Sequence, residues 1–407
     1  MRYVIVGAGP AGVVAAETLR AQDPAGEVIM IGGEPEPAYS RMAIPYLLAG
    51  HIEEAGTYLR HNPEHFNNIG VRQMHDRVIA LDTANKSVLL QGGDSVAYDR
   101  LLLATGSKAV APPMAGLDQP GIYHCWTLED ARNIARHAER GARVVLMGAG
   151  FIGCIIMEAL YKRGVDLTVV EMNDRMVPRM MDQVSGNLIK RWCLDKGVTV
   201  HTNTRLVGVA PDPTGQSRYT LECDKMGSIT ADLVVVATGV RPDIDYLQGS
   251  LIETKLGIVV DEYLQTSVPG VYAAGDACEG FDWSSGKHAV HAIQPVAADT
   301  GRMAALNMAG GEARYAGSMD MNVLDTLGLI STSYGRWQGV QGGEEATLLD
   351  EEGYRYLKLQ FEGEYLIGSI SLGLTEHVGV LRGLIQGRVR LGVWKQRLME
   401  NPSRIME

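Results

Sequence analysis

Four short apolar runs stand out along the first half of the chain: Tyr3–Val6, Val28–Ile31, Val144–Met147 and Leu167–Val170. Each reads as a buried strand. The first and third run directly into glycine turns and then into small-residue stretches that read as helices, so the pattern predicts strand, tight turn, helix twice over. Leu101–Leu103, Val234–Val236 and Val271–Ala273 are further apolar strands, each leading into a glycine-containing segment. The end of the chain is patterned differently. Tyr354–Gln360 and Leu366–Ile370 alternate as half-buried strands do, and Val378 to Arg397 reads as mostly helical.

The two glycine turns are Gly7-Ala8-Gly9-Pro10-Ala11-Gly12 and Gly148-Ala149-Gly150-Phe151-Ile152-Gly153. In this spacing the first glycine makes the tight turn, the second lets backbone approach a pyrophosphate, and the third lets the helix pack on the strand. Phosphate then meets the positive end of a helix. Each copy is followed by an apolar strand and an acid, Glu34 after Val28–Ile31 and Glu171 after Leu167–Val170, where a carboxylate can accept from an adenosine ribose. Two bound dinucleotides are implied.

Composition narrows the class. A chain of 407 residues has room for two to three domains, and a net charge of −11 disfavours nucleic acid or anionic membrane as partners. Arg2 and the apolar stretch after it superficially resemble a signal peptide, but the first fingerprint occupies that stretch, so a cytoplasmic location is expected. The longest uncharged run, Val144 to Met157, is too short to span a bilayer.

Three further segments complete the pattern: Leu101-Leu102-Leu103-Ala104-Thr105-Gly106, Val234-Val235-Val236-Ala237-Thr238-Gly239-Val240-Arg241-Pro242, and Gly270-Val271-Tyr272-Ala273-Ala274-Gly275-Asp276. In this order, up to about residue 315, the chain resembles the two-dinucleotide-binding flavoproteins of the pyridine nucleotide–disulfide reductase superfamily. The resemblance implies an α/β fold of two Rossmann-like dinucleotide-binding domains, the NAD domain inserted in the FAD domain, plus an α+β C-terminal interface domain. The implied boundaries are 1–112 and 243–315 for FAD, 113–242 for NAD, and 316–407 for the interface. It also implies that FAD is held by Gly7, Gly9, Pro10, Ala11, Gly12, Glu34, Arg41, Val78, Ala104, Thr105, Gly106, Gly275, Asp276 and Pro295, with Asp276 on the ribityl chain. NAD(H) would be held by Gly148, Gly150, Phe151, Ile152, Gly153, Glu171 and Gly239. Charge favours NAD(H) over NADP(H), because Glu171 would repel a 2′-phosphate and Met172, Asn173 and Asp174 supply no cation; Arg175 is the one residue that could reverse this.

The chain departs from much of the family in what it lacks. No cysteine precedes Cys125, so a dithiol or sulfenate mechanism is excluded, and the five cysteines show no metal or cluster spacing. Tyr39-Ser40-Arg41 resembles the rubredoxin and ferredoxin reductases and the flavin region of nitrite reductases. A lysine and glutamate that pair in many members are replaced here by Tyr46 and Ile155, with Glu158 as a candidate substitute. His61-Asn-Pro-Glu-His65 matches an inverted zinc-binding pattern, but Pro63 argues against it and no metal is expected. His288 and His291 are candidates to tune a flavin. Arg382, Arg388, Arg390, Lys395, Arg397 and Arg404 form a basic end that could dock an acidic protein or belong to a solvated helix face.

The expectation is an FAD-dependent NAD(H) oxidoreductase with no catalytic side chain of its own, exchanging electrons with an iron–sulfur partner. The resemblance extends to flavoprotein subunits that accompany tungsten aldehyde oxidoreductases and carbon monoxide dehydrogenases. A stand-alone NADH oxidase, a rubredoxin reductase and a non-catalytic redox-sensing flavoprotein remain open, as does homo- or hetero-oligomerisation through the C-terminal domain.

Overall fold

A computed structural model describes residues 1–405 and divides the chain into two compact units. The first comprises residues 1–43, 52–108 and 240–318. Its centre is a five-stranded parallel sheet in the order Val271–Ala273, Arg100–Leu103, Arg2–Val6, Glu27–Gly32, Val71–His75. Arg2–Val6 lies between its two neighbours with Val6 opposite both Ile31 and Leu103. Val4, Ile5 and Leu101 to Leu103 are fully buried, as expected of strands covered on both faces. Chain order reverses beside the first strand, and in such sheets ligands bind off the carboxyl ends of the strands at that point.

Helix Pro10–Gln22 packs against helix Gln294–Met308, and small residues set the spacing: a Cβ on Gly301 would stand 2.3 Å from the Ala11 carbonyl oxygen. A three-stranded antiparallel sheet (Val78–Asp82, Ser87–Leu90, Ser95–Ala97) completes one side of the unit.

The second unit comprises residues 44–51, 109–239 and 319 onward. It repeats the motif with a parallel sheet in the order Thr199–His201, Asp166–Val170, Arg143–Met147, Leu233–Val236, Ile122–His124. It also holds a five-stranded antiparallel sheet, Met321–Thr326, Leu329–Gly335, Tyr365–Leu372, Arg355–Glu362, Glu344–Asp350. Polar contacts join that sheet to helix Gln183–Asp195: Tyr356 Oη donates to Asp182 Oδ2 at 2.8 Å, Lys358 Nζ lies 3.5 Å from the same carboxylate, and Trp192 Nε1 donates to the Leu327 carbonyl at 3.2 Å. Helix Ile44–Leu48 belongs here, its Leu48 carbonyl accepting from Arg163 Nη1 at 3.1 Å.

The stretch expected to be mostly helical between 378 and 397 is two short helices, Val378–Gln386 and Val393–Glu400. Arg388 at φ +45° and Gly392 at φ +54° are left-handed and end helical geometry between them. Among the described residues no helix is long and apolar enough to cross a membrane.

Candidate functional site

Both glycine turns are built the same way, and the geometry assigns each glycine a separate task. Gly7 has φ +117°, and a Cβ there would stand 2.1 Å from the Ala104 carbonyl oxygen; a Cβ on Gly12 would stand 1.9 Å from the Gly7 carbonyl oxygen. Gly148 (φ +99°) and Gly153 face the corresponding oxygens of Ala237 and Gly148 at 2.5 and 2.2 Å. Protein packing therefore accounts for the first and third positions. It does not account for the second. Around Gly9 and Gly150 a Cβ would meet nothing within 4 Å, so the lack of a side chain there leaves open space rather than filling it.

The two helices that begin at these glycines carry no side-chain cap and no acid in the first turn. Elsewhere in the second unit, helix Leu128–His137 has a capping box from Thr127 and Asp130, and helix Gln183–Asp195 is capped by Asp182. Uncapped N–H groups beside an open glycine are what an anionic pyrophosphate requires. The residues fit dinucleotides at both turns.

Around the first turn the structure gathers most of the expected FAD residues. Ala104 N–H donates to the Val6 carbonyl at 2.8 Å, which places Ala104-Thr105-Gly106 against the fingerprint; Gly106 is left-handed at φ +69°. Gly275 lies beside Ala11 and Ala297, the first turns of two helices, and begins the short helix that carries Asp276. Burial raises the Asp276 carboxyl above its ordinary value, while a 2.7 Å hydrogen bond from Ser107 Oγ and the charge of Arg41 act in the opposite sense. Pro295 opens helix Gln294–Met308, whose Gln294 side chain accepts from Ser40 Oγ at 2.5 Å. Val78 is a buried strand residue.

Glu34, Tyr39 and Arg41 form one cluster. Arg41 Nη2 lies 2.5 Å from Glu34 Oε1, Tyr39 Oη donates to Glu34 Oε2 at 2.5 Å, and Arg41 Nη1 donates to Tyr39 Oη at 2.8 Å. The two histidines singled out in the sequence separate. His288 is exposed on strand Lys287–Ala289, whereas His291 has its Nε2 buried with no hydrogen-bond partner in the protein.

The second turn differs in its acid. Gly7 N–H donates to the Ile31 carbonyl and Gly148 N–H to the Val170 carbonyl, both at 2.8 Å, so Glu171 stands where the first unit has Gly32, and the counterpart of Glu34 is Asn173. The sequence places the two acids in one role, and the register separates them by two residues. Glu171 is 4% exposed; its Oε2 accepts from Ala149 N–H at 2.8 Å and its Oε1 from the Asn173 amide N–H and Nδ2 at 2.8 and 2.6 Å. Gly32, lacking a side chain, sits against the methyl of Ala8 instead. Gly239 is left-handed at φ +118°, and Phe151 and Ile152 occupy the first helical turn. Arg175 is held within its own loop by Asp174 and the Met181 and Pro178 carbonyls.

Other groups are used up locally. Glu158, the candidate substitute for the glutamate missing at Ile155, pairs with Lys162 at 2.6 Å; Tyr46 is exposed. His65 Nε2 lies 2.8 Å from Glu17, and among the described residues no group of three or more His, Cys, Asp or Glu is placed to hold a metal ion. Burial raises the thiol pKa of all five cysteines, Cys193 and Cys278 to about 12, so none offers a thiolate at neutral pH.

Comparison with known proteins agrees with this geometry. Residues 1–295 match the family described as pyridine nucleotide-disulphide oxidoreductase. The chain is 32% identical over 406 residues to the epsilon subunit of the NADH-dependent phenylglyoxylate dehydrogenase of Aromatoleum evansii, covering 98% of this chain and 95% of that one. It is 32% identical to an NADH oxidase of Methanocaldococcus jannaschii, over 77% of this chain and 71% of the other. Putidaredoxin reductase, solved in covalent complex with putidaredoxin, shares the fold with a TM-score of 0.87 at 22% identity, covering 96% and 94% of the two chains.

Proposed function

The chain belongs to the pyridine nucleotide-disulphide oxidoreductase family, and from that premise we propose that it is an electron-transfer flavoprotein linking NAD(H) to an iron–sulfur protein or subunit. As a family member it is an NAD(H)-dependent flavoprotein oxidoreductase. In our reading FAD lies along the Gly9 turn of the first unit, with Asp276 on its sugar chain, and NAD(H) along the Gly150 turn of the second. Residues 1–112 and 243–315 then serve FAD, apart from 44–51, which pack within the second unit, while 113–242 serve NAD(H) and 316–407 a partner.

What supports the reading is the repeated strand, glycine turn and helix in which packing fixes the first and third glycines, the space at the second is empty and the helix starts without a side-chain cap. When bound, flavin exchanges a hydride with nicotinamide and passes electrons singly, so the protein need supply only binding, orientation and charge. The chain's own groups match that demand, since all five cysteines are free thiols whose pKa burial raises. NAD(H) rather than NADP(H) is favoured by a negative Glu171 fixed beside the turn and by an Arg175 already engaged within its loop. The match to a dehydrogenase subunit over nearly the full length of both chains supports a role as one subunit of a larger NAD-linked oxidoreductase.

The test is an anaerobic assay of the purified chain with NADH, first with ferricyanide and then with a ferredoxin-type protein as acceptor. Reduction of both, with slow oxygen turnover, supports the reading. Fast turnover with oxygen and none with the ferredoxin would make it a stand-alone NADH oxidase, the activity named for the Methanocaldococcus relative.

A further inference from the structure

Charge is distributed very unevenly along this chain. Residues 378–405 contain six arginines and lysines and one glutamate, a net +5, against −16 for the remainder. The two short helices in this segment are anchored from beneath by Leu381, Ile385, Leu391 and Leu398, all nearly fully buried. The opposite side carries apolar residues that the core does not use: Val389 is 43% exposed, Val393 75% and Trp394 38%. The Arg397 guanidinium stacks on the Trp394 ring, 4.7 Å from its centroid. Arg382 and Arg388 are also exposed. Arg390 and Lys395, by contrast, are paired with Glu364 and Glu344 within the same unit.

The connection bearing Arg388 and Val389 is fixed in place. It bridges to Tyr365 through Arg390, Leu391 N–H donates to the Glu364 carbonyl at 3.0 Å, and left-handed residues stand at both ends. Exposed tryptophan and arginine on a preset backbone match the composition of a protein-binding centre, with Val389 and Val393 adding apolar area beside them, and little ordering cost remains to be met.

We propose that this face, centred on Trp394 and Val393 and ringed by Arg382, Arg388 and Arg397, is the docking surface for an acidic iron–sulfur protein; this rests on the electron-transfer reading above. Charge complementarity selects a small acidic protein over a more extended polyanion. With Arg390 and Lys395 paired to Glu364 and Glu344, the positive charge that the face offers is the exposed Arg382, Arg388 and Arg397, a small cationic patch on a chain of net charge −11, which a small acidic protein matches and an extended polyanion does not. The positive segment steers association, and the apolar centre holds the complex once formed.

The test titrates flavin-loaded protein with a purified acidic [2Fe–2S] ferredoxin by calorimetry at several salt concentrations, using wild type, Trp394→Ala, Val393→Ser and Arg388→Glu/Arg397→Glu. Both apolar variants should bind at least about tenfold more weakly, and so should the charge-reversed pair, with a shallower salt dependence. Val393→Ser covers the case in which loss of the indole perturbs folding. NADH:ferricyanide turnover should stay within about twofold in all variants, because a small acceptor needs no docking face. Undiminished binding in all variants, no binding by wild type, sedimentation as a homodimer that the variants dissociate, or capture by anionic phospholipid vesicles would each overturn the proposal. Failure of NADH:ferricyanide turnover in wild type would instead strike the electron-transfer reading.

Discussion

The two glycine turns have nearly the same backbone and different acids, and the difference separates what a fingerprint must have from what it can vary. In the first unit Glu34 lies two residues past the strand, partly exposed and shared with Tyr39 and Arg41. In the second, Glu171 follows the strand directly, is buried, and uses one oxygen to hold the Ala149 N–H of the turn itself. One acid sits at the rim of its turn and the other is part of the turn's frame. Substitutions at corresponding positions should therefore behave alike where packing dictates the residue and differently at the acids.

The largest effect is expected where packing dictates. Gly12→Ala and Gly153→Ala drive a methyl against a backbone oxygen, and each should cost about 3 kcal/mol or more of stability in its unit by denaturant titration. If either variant unfolds like wild type, the close approach is not what fixes that glycine.

The acids come next and should break the symmetry. Glu171→Ala leaves the Ala149 N–H without its acceptor and should cost on the order of 1–3 kcal/mol in stability, while also narrowing the preference for NADH over NADPH. Glu34→Ala loses a partly exposed pair and should cost about 1 kcal/mol or less. Equal losses at the two sites would show that the two-residue offset has no energetic meaning.

The offset also marks where sequence stops being informative. Both fingerprints, the Ala104-Thr105-Gly106 and Ala237-Thr238-Gly239 segments and the parallel strands are legible because backbone geometry imposes them on residue type. The partners of Glu171 are not, since a carboxylate two residues earlier or later satisfies the same pattern, and only strand register separates them. Likewise His288 and His291 are alike in sequence, and burial of one Nε2 is settled by packing. The break at Arg388 was hidden because the chain there is helical in composition and the left-handed residue is not a glycine. The capture of residues 44–51 by the second unit had no local signal at all, since it depends on contacts such as that of Arg163 with the Leu48 carbonyl.

Asp182 provides a pH test within the second unit. Burial pushes its carboxyl up, but hydrogen bonds from Ser185 and Tyr356 and the charge of Lys358 outweigh this and hold it below the usual value. A depressed folded-state pKa contributes stability that is present above the unfolded value of about 3.9 and is lost as pH falls through the folded one. Asp182→Asn keeps a cap for helix Gln183–Asp195 but not the charge. It should lose about 1–2 kcal/mol at pH 7, and the gap to wild type should close as pH drops below about 4. A gap independent of pH would mean that the carboxylate is not the group responsible.

The smallest effect is expected from the cysteines. Alkylation under native conditions should leave NADH-driven flavin reduction within about twofold, because burial holds all five thiols protonated. Abolished reduction after a single modification would reinstate a thiol mechanism.

The most direct measurement compares Gly9→Val with Gly150→Val, two positions where an added Cβ meets no protein atom within 4 Å, so each fold should stay intact. Flavin content would be read from the visible spectrum of the purified proteins, followed by anaerobic titration with NADH. Gly9→Val should emerge colourless with wild-type thermal stability of the apoprotein. Gly150→Val should emerge with a full flavin complement that dithionite reduces and NADH does not. A flavin-replete Gly9→Val protein, or a Gly150→Val protein that loses its flavin or is reduced by NADH as wild type is, would contradict the assignment of FAD to the first turn and NAD(H) to the second.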